Sequence, residues 1–249
     1  MERREVLKGL GILLGVSVAS PGMAFDLGKA LGAAKSLGTA ATLSDDDLKA
    51  YFKQAAKLYD KEHKVAPKGN KYAKRLASLT KGLNKYDGLK LDYKVYLTEE
   101  INAIAFGNGS IRVYSGLMDL MTDDEIRYVI GHEIGHIQAG HSKKRMKTAL
   151  TTGALRDAAA AGDSKVAELA DSELGGLIEK AVLAQHSQTN EKEADDYAMK
   201  FMKKRKYSPK AAVTALEKLD ELSGGRGSDW LSTHPSPRER AERMRKKLA

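Results

Sequence analysis

Two histidines four residues apart, with a glutamate beside the first, form the run His132-Glu133-Ile134-Gly135-His136. Imidazoles at that spacing share a face only on a helix, where both reach one zinc ion at bond lengths of about 2.0 Å. At 100° per residue His136 falls about 40° from His132, Glu133 about 100°, and Ile126, Ile130, Ile134 and Ile137 between about 120° and 200°. The histidines thus turn away from the main apolar stripe, towards a second surface. Glu133 stands beside them, placed to touch a water at the metal without taking a coordination position. Gly131 and Gly135 leave the helix thin on one side, which permits close approach of a neighbouring backbone.

A catalytic zinc needs a third protein donor and one open position. His141 falls about 180° from His132 on a continuous helix, so it reads as a capping or supporting histidine. The better candidate lies 55 residues after His136, at Glu191 in Asn190-Glu191-Lys192-Glu193-Ala194-Asp195. With Glu191 at zero, Asp195 lies at about 40°, Met202 at about 20° and Ala198 at about 340°, whereas Lys192, Glu193, Asp196, Lys200 and Lys203 span about 100° to 200°. Glu191 and Asp195 therefore occupy the apolar side of their helix and Glu193 the solvent side. A buried carboxylate requires a cation. Glu191 reads as the third ligand, and Asp195 as the acceptor that orients a ligand histidine.

HExxH followed by ExxxD on a later helix is similar to the gluzincin arrangement. The stretch from about Leu91 to Arg243 resembles the HtpX/BepA/Oma-type family of zinc metallopeptidases. The matching pieces are Asn102-Ala103, Gly109-Ser110-Ile111, Gly116-Leu117-Met118, the HEIGH run, Glu191 to Asp195, and Ser232-Thr233-His234-Pro235 with Arg240. The resemblance implies an α+β, mostly helical metalloprotease domain with a small antiparallel sheet beside the HExxH helix. It also implies one Zn2+ per chain held by His132, His136 and Glu191, with Glu133 as general base. The expected activity is endopeptidase cleavage of unfolded or misfolded cell-envelope proteins. Substrate is expected to add as a strand at the sheet edge around Asn102, Ala103 and Gly109, because main-chain hydrogen bonds accept many sequences. His234, pinned by Pro235 and Ser236, has two open roles: donor to the tetrahedral oxyanion, or latch on the open zinc position. The rival reading is a chaperone-like protein that binds unfolded clients and keeps zinc for structure.

The surrounding pattern supplies the elements that must hold these residues. Ser44 and three aspartates precede apolar positions at Leu48, Tyr51, Phe52, Ala55, Leu58 and Tyr59, which predicts a capped amphipathic helix ending before Pro67. A second helix is expected over about Tyr72 to Leu83. Leu91, Tyr93, Val95 and Leu97 alternate with polar residues, and Ala103 to Phe106 and Ile111 to Tyr114 flank Gly107-Asn108-Gly109, the pattern of strands and a tight turn. Thr122 with Glu125, and Ser236-Pro237 with Glu239, read as capping boxes. The Ala/Gly-rich run from Thr151 to Gly162 lacks large apolar anchors.

The chain of 249 residues is 42% apolar and 30% charged, and it contains no cysteine. Disulfide scaffolds, Cys-ligated zinc and thiol nucleophiles are thereby excluded. Its formal charge of +9 is scattered among helical acids, and only 6% of residues are aromatic. A nucleic-acid partner is therefore not expected. Residues Gly9 to Phe25 are 17 uncharged positions after a basic start, and small residues Gly22 and Ala24 stand where a signal peptidase reads. Arg3-Arg4-Glu5-Val6-Leu7-Lys8 resembles a twin-arginine export signal, with an ordinary Sec signal as the alternative. Expected organisation is a signal over 1–24, a flexible arm over 25–43 and a metallopeptidase domain over 44–249. Cleavage removes three basic and two acidic residues and lowers the formal charge from +9 to +8. The mature protein is expected in the periplasm or cell envelope, with no transmembrane span and peripheral membrane contact open.

Overall fold

The computed structural model describes residues 44–148, 185–222 and 229–249. The expected signal, arm and Ala/Gly-rich run lie outside these residues. In chain order the elements are α1 (Asp45–Glu62), α2 (Lys71–Leu79), β1 (Lys85–Tyr86), β2 (Leu89–Lys90), β3 (Asp92–Tyr96), β4 (Ala103–Ala105) and β5 (Ser110–Tyr114). Then follow α3 (Ser115–Leu120), α4 (Asp123–Gln138), α5 (Gln188–Lys204), α6 (Ala211–Glu221), α7 (Asp229–Thr233) and α8 (Pro237–Lys246). Residues 141–148 are also helical. The second helix is shorter than expected, closing at Leu79, where the Thr80 backbone N–H and hydroxyl both donate to Leu76 O.

β4 and β5 form the expected antiparallel hairpin, with Ala103 opposite Val113 and Ala105 opposite Ile111. β3 joins β5 on its other side in parallel, Asp92 opposite Ser110 and Tyr96 opposite Tyr114, so the sheet is mixed, with order β3-β5-β4. The connection over 97–102 steps across one strand's width and returns, leaving the middle slot to be filled later by β5. Gly109 turns the hairpin at φ +99°, and a Cβ there would lie 2.1 Å from Lys90 O. Only glycine fits that position.

Alternation along the strands divides the sheet between two layers. Tyr96, Ile104, Phe106 and Tyr114 pack with Leu48, Phe52 and Ala55 of α1. Val95, Ala103, Ala105, Ile111 and Val113 join the larger core made with α4, α5 and α6. Both faces are covered, so β5 is buried at every residue. Leu58 departs from the expected buried stripe and is 45% exposed.

Helix α4 starts as its sequence predicts. Thr122 Oγ1 accepts from Glu125 N, Glu125 Oε2 accepts from Thr122 N at 2.7 Å, and Lys218 Nζ donates to the same carboxylate at 2.7 Å. The second expected box does not form. Ser236 adopts φ 57° and ψ 50° and caps nothing; a capping side chain needs the extended backbone region, which this left-handed turn abandons. Pro237 opens α8 instead, where its missing N–H leaves no donor without a partner.

Candidate metal centre

Helices α4 and α5 pack against each other, and the small residues on α4 set their separation. A Cβ on Gly135 would stand 3.0 Å from Ala194 Cα, and one on Gly131 would stand 2.6 Å from the Phe201 ring. This close approach brings His132, His136 and Glu191 together, all at most 1% exposed. The two Nε2 atoms lie 2.9 Å apart. Glu191 Oε2 is 3.5 Å from His132 Nε2, and Glu191 Oε1 is 3.4 Å from His136 Nε2. Donors about 2.05 Å from a tetrahedral ion stand about 3.3 Å from one another, so the carboxylate already sits at coordination spacing. With His234, the three form a buried group whose ligand atoms all lie within 4.8 Å of one another.

The unpaired atoms also point to a cation. Two Nε2 atoms facing each other cannot both use their lone pairs without a shared acceptor of electrons. Oε1 of Glu191, Oε1 of Glu133 and Nε2 of His234 are buried without a hydrogen-bond partner. Such groups are costly unless a charge compensates them. An N2O set of imidazoles and a carboxylate suits a divalent transition ion.

Behind these atoms lies a dense supporting layer. Asp195 Oδ1 is 3.0 Å from His132 Nδ1 and accepts from Tyr128 Oη at 2.6 Å. Arg240 of α8 donates to Asp195 from Nη2 at 2.7 Å and from Nε at 3.0 Å, while its Nη1 contacts Glu191 Oε2. His136 Nδ1 lies 2.9 Å from His141 Nδ1, and His141 Nε2 lies 3.0 Å from Glu193 Oε2. Glu193 is thus on the solvent side as its helical angle predicts, with its side chain 54% exposed, yet it reaches the layer behind a candidate ligand.

Burial and neighbouring charge set the protonation of this cluster. Burial pushes the Glu133 carboxyl up to about 8, against the pull of His132. Burial would also raise Asp195, but Arg240 and His132 outweigh it and hold the carboxyl low. His136 is pushed down to about 3 by burial and by His132 beside it. Arg240 stays charged because Asp195 and Glu191 overcome its loss of hydration.

His234 faces the same centre from the turn after α7. Its Nε2 is 3.5 Å from Glu133 Oε1, and its ring stacks on Trp230 at 3.7 Å between centroids and 10° between planes. The Thr233 hydroxyl donates to Trp230 O and lies 2.8 Å from His234 Nδ1. A hydroxyl that gives its proton to Trp230 O accepts from Nδ1–H and leaves Nε2 with a lone pair, whereas one that gives it to Nδ1 leaves Nε2–H as a donor.

Of the residues expected at the substrate edge, Asn102 and Ala103 lie beside α4, since β4 packs on that helix. Gly109 lies at the far tip of the hairpin, against β2. Alternation of the hydrogen-bonded pairs turns the N–H and C=O of Ala103 and Ala105 to the open side of β4. Asn102 Oδ1 accepts from Ala103 N at 2.8 Å.

Sequence reasoning missed four contributors: Tyr128, Trp230, His186 and the link from His141 to Glu193. The His186 ring lies 3.7 Å from that of His136, and its backbone N–H donates to Thr233 O at 2.8 Å, tying the start of α5 to the His234 turn. Only its place beside the helix-capping Ser187 could have drawn notice.

A helical layer presenting two histidines and a glutamate around one point, with a second glutamate beside it, defines a metallopeptidase. The chain belongs to peptidase family M48, matching it over residues 70–248, and is a metalloendopeptidase. It is 45% identical over 209 residues to Metalloprotease LoiP of Escherichia coli (strain K12), covering 84% of this chain and 83% of that one. It is 42% identical over 225 residues to Metalloprotease YcaL of the same organism, covering 90% and 89%. Similarity to the Beta-barrel assembly-enhancing protease of that strain is 29% over 164 residues, covering 59% of this chain and 34% of the other. Among the described residues no helix is long and apolar enough to cross a membrane.

Proposed function

We propose that this protein is a zinc-dependent endopeptidase of the cell envelope that hydrolyses unfolded or misfolded proteins. The observation that carries the chemistry is the convergence of His132 Nε2, His136 Nε2 and Glu191 beside the unpartnered Oε1 of Glu133. In this reading His132, His136 and Glu191 hold one zinc ion, whose chemistry when bound is Lewis-acid polarisation of the scissile carbonyl and of an attacking water. Glu133 accepts the proton of that water and delivers it to the leaving amine. Asp195, fixed by Tyr128 and Arg240, holds His132 in the tautomer that turns Nε2 to the centre. His141 does the same for His136. The open side of β4 receives substrate as an added strand, with Ala103 and Ala105 as its partners and Asn102 as the placeholder that substrate displaces from Ala103 N. Gly109 shapes the hairpin that presents this edge. In this reading His234 is the latch, in the tautomer that leaves a lone pair on Nε2. The twin-arginine-like N-terminus supports export to the envelope, and the relative named for β-barrel assembly supports a quality-control setting.

The test is digestion of a reduced, unfolded protein by the intact chain, with and without a chelator, alongside Glu133→Gln. Cleavage should vanish with the chelator and in Glu133→Gln, while the variant keeps about one zinc per chain because no ligand is lost. Cleavage surviving both treatments overturns the assignment.

A further inference from the structure

A second concave site lies between α1 and the sheet, and it shares no lining residue with the metal centre. The cleft has a volume of about 470 Å3 and is walled by six cations, Lys49, Lys53, Lys57, Lys90, Lys94 and Arg112, against two carboxylates, Asp60 and Asp92. These charges are not all neutralised within the fold. Asp60 is committed to Arg112 at 2.8 Å and Lys94 at 2.7 Å, Asp92 to Arg112 at 2.9 Å, and Lys49 pairs with Asp46 at 3.0 Å outside the cleft. Lys53, Lys57 and Lys90 have no acidic partner among the described residues, although they come from two different elements. Like charges gathered in a concavity repel one another and create a focused positive potential.

The floor is built rather than merely charged. Ser110 is 6% exposed; its Oγ accepts from Asn108 Nδ2 at 3.1 Å and its own proton has no acceptor among the described residues. Arg112 is 2% exposed and each of its three guanidinium nitrogens is engaged by Asp60, Asp92 or a backbone carbonyl, so it fixes the floor and leaves the three lysines to meet a ligand. Lysines acting as point charges, with a hydroxyl donor below them, match the oxygens of a phosphate.

We propose that this cleft binds a phosphate-bearing ligand. The source of the phosphate is either the headgroup of an anionic lipid or a soluble phosphate. Leu58, the exposed large apolar residue among the described ones, stands next to Lys57 on α1, an arrangement suited to a lipid surface.

The experiment uses the full chain and two triple variants. Lys53→Gln/Lys57→Gln/Lys90→Gln empties the cleft of its free cations, and Lys68→Gln/Lys74→Gln/Lys81→Gln removes the same charge from exposed positions outside it. Circular dichroism and thermal unfolding establish that both are folded. Binding is read by co-sedimentation with phosphatidylglycerol and with phosphatidylcholine vesicles at 0.15 M salt, and by calorimetric titration with inorganic pyrophosphate. A lipid source gives binding to phosphatidylglycerol that pyrophosphate competes away. A soluble source gives pyrophosphate binding without preference between vesicles. In either case the cleft variant should bind at least about tenfold more weakly and the control within about twofold. Equal losses in both variants, or no binding of either probe to the wild type, would overturn the proposal.

Discussion

Arg240 reaches the proposed metal centre from the last helix and is only 4% exposed, with its guanidinium shared between Asp195 and Glu191. Arg240→Met keeps the apolar length of the side chain and removes the charge, which leaves two buried carboxylates facing each other. Breaking a buried pair from one side costs about 3–5 kcal/mol. At about 2–4 °C per kcal/mol for a chain of this size, the metal-free variant should unfold about 6–20 °C below the wild type. A dication held by His132, His136 and Glu191 offsets part of the exposed negative charge. Saturating zinc should therefore narrow the deficit by at least about half, so the variant gains more from zinc than the wild type does. Thermal unfolding followed by circular dichroism, in chelator and in excess zinc, measures both numbers. An equal deficit in the two conditions, or a metal-free loss below about 1 kcal/mol, would refute the view that Arg240 is there to balance these carboxylates.

Glu191→Ala should abolish stoichiometric zinc in metal analysis, while Glu193→Ala should keep it at an affinity reduced by no more than about tenfold, acting only through His141; comparable zinc loss in both would contradict the helical assignment. His234→Ala should raise basal cleavage of an unfolded protein by at least about threefold, because the closed form no longer competes with substrate; a fall in turnover would identify an oxyanion donor. Asp60→Asn should destabilise the protein by about 3 kcal/mol at neutral pH, since Arg112 is buried and keeps only Asp92. Arg112 and Lys94 outweigh burial and depress the Asp60 carboxyl, so its contribution is present above the unfolded value of about 3.9 and is lost as pH falls through the folded one. Denaturant unfolding from pH 7 to pH 3 should show the two proteins converging only below about pH 4; a gap that stays constant at lower pH would sink the pairing argument.

Periodicity made the helical parts of the site legible. The four-residue spacing and the angle between Glu191 and Glu193 predicted which side chains face inward, because burial along one helix follows its own sequence. The capping box at Thr122 was readable for the same local reason. Position in the fold was not. β5 enters between β3 and β4 only because a later strand fills a slot left open earlier, and a hairpin signal carries no information about that third strand. Arg240 belonged to the recognised pattern, but its bond to Asp195 spans 45 residues of sequence. His186 and the contact from His141 to Glu193 are likewise products of how helices meet. Leu58 matched the apolar stripe of α1 yet stayed 45% exposed; a stripe does not state where the covering layer stops.

The glycines on α4 have a consequence for how closely the donors of the proposed centre can gather. Gly135 lets Ala194 approach until the two helices nearly touch, and that separation fixes how far Glu191 stands from the two imidazoles. At the proposed centre the donor atoms stand 2.9 to 3.5 Å apart, a spacing that suits a tetrahedral ion with bonds of about 2.0–2.2 Å. The spacing of the donors is thus set by residues that donate nothing. Gly135→Ala, by wedging the helices apart by a few tenths of an ångström, should weaken zinc binding at the proposed centre without altering a single donor.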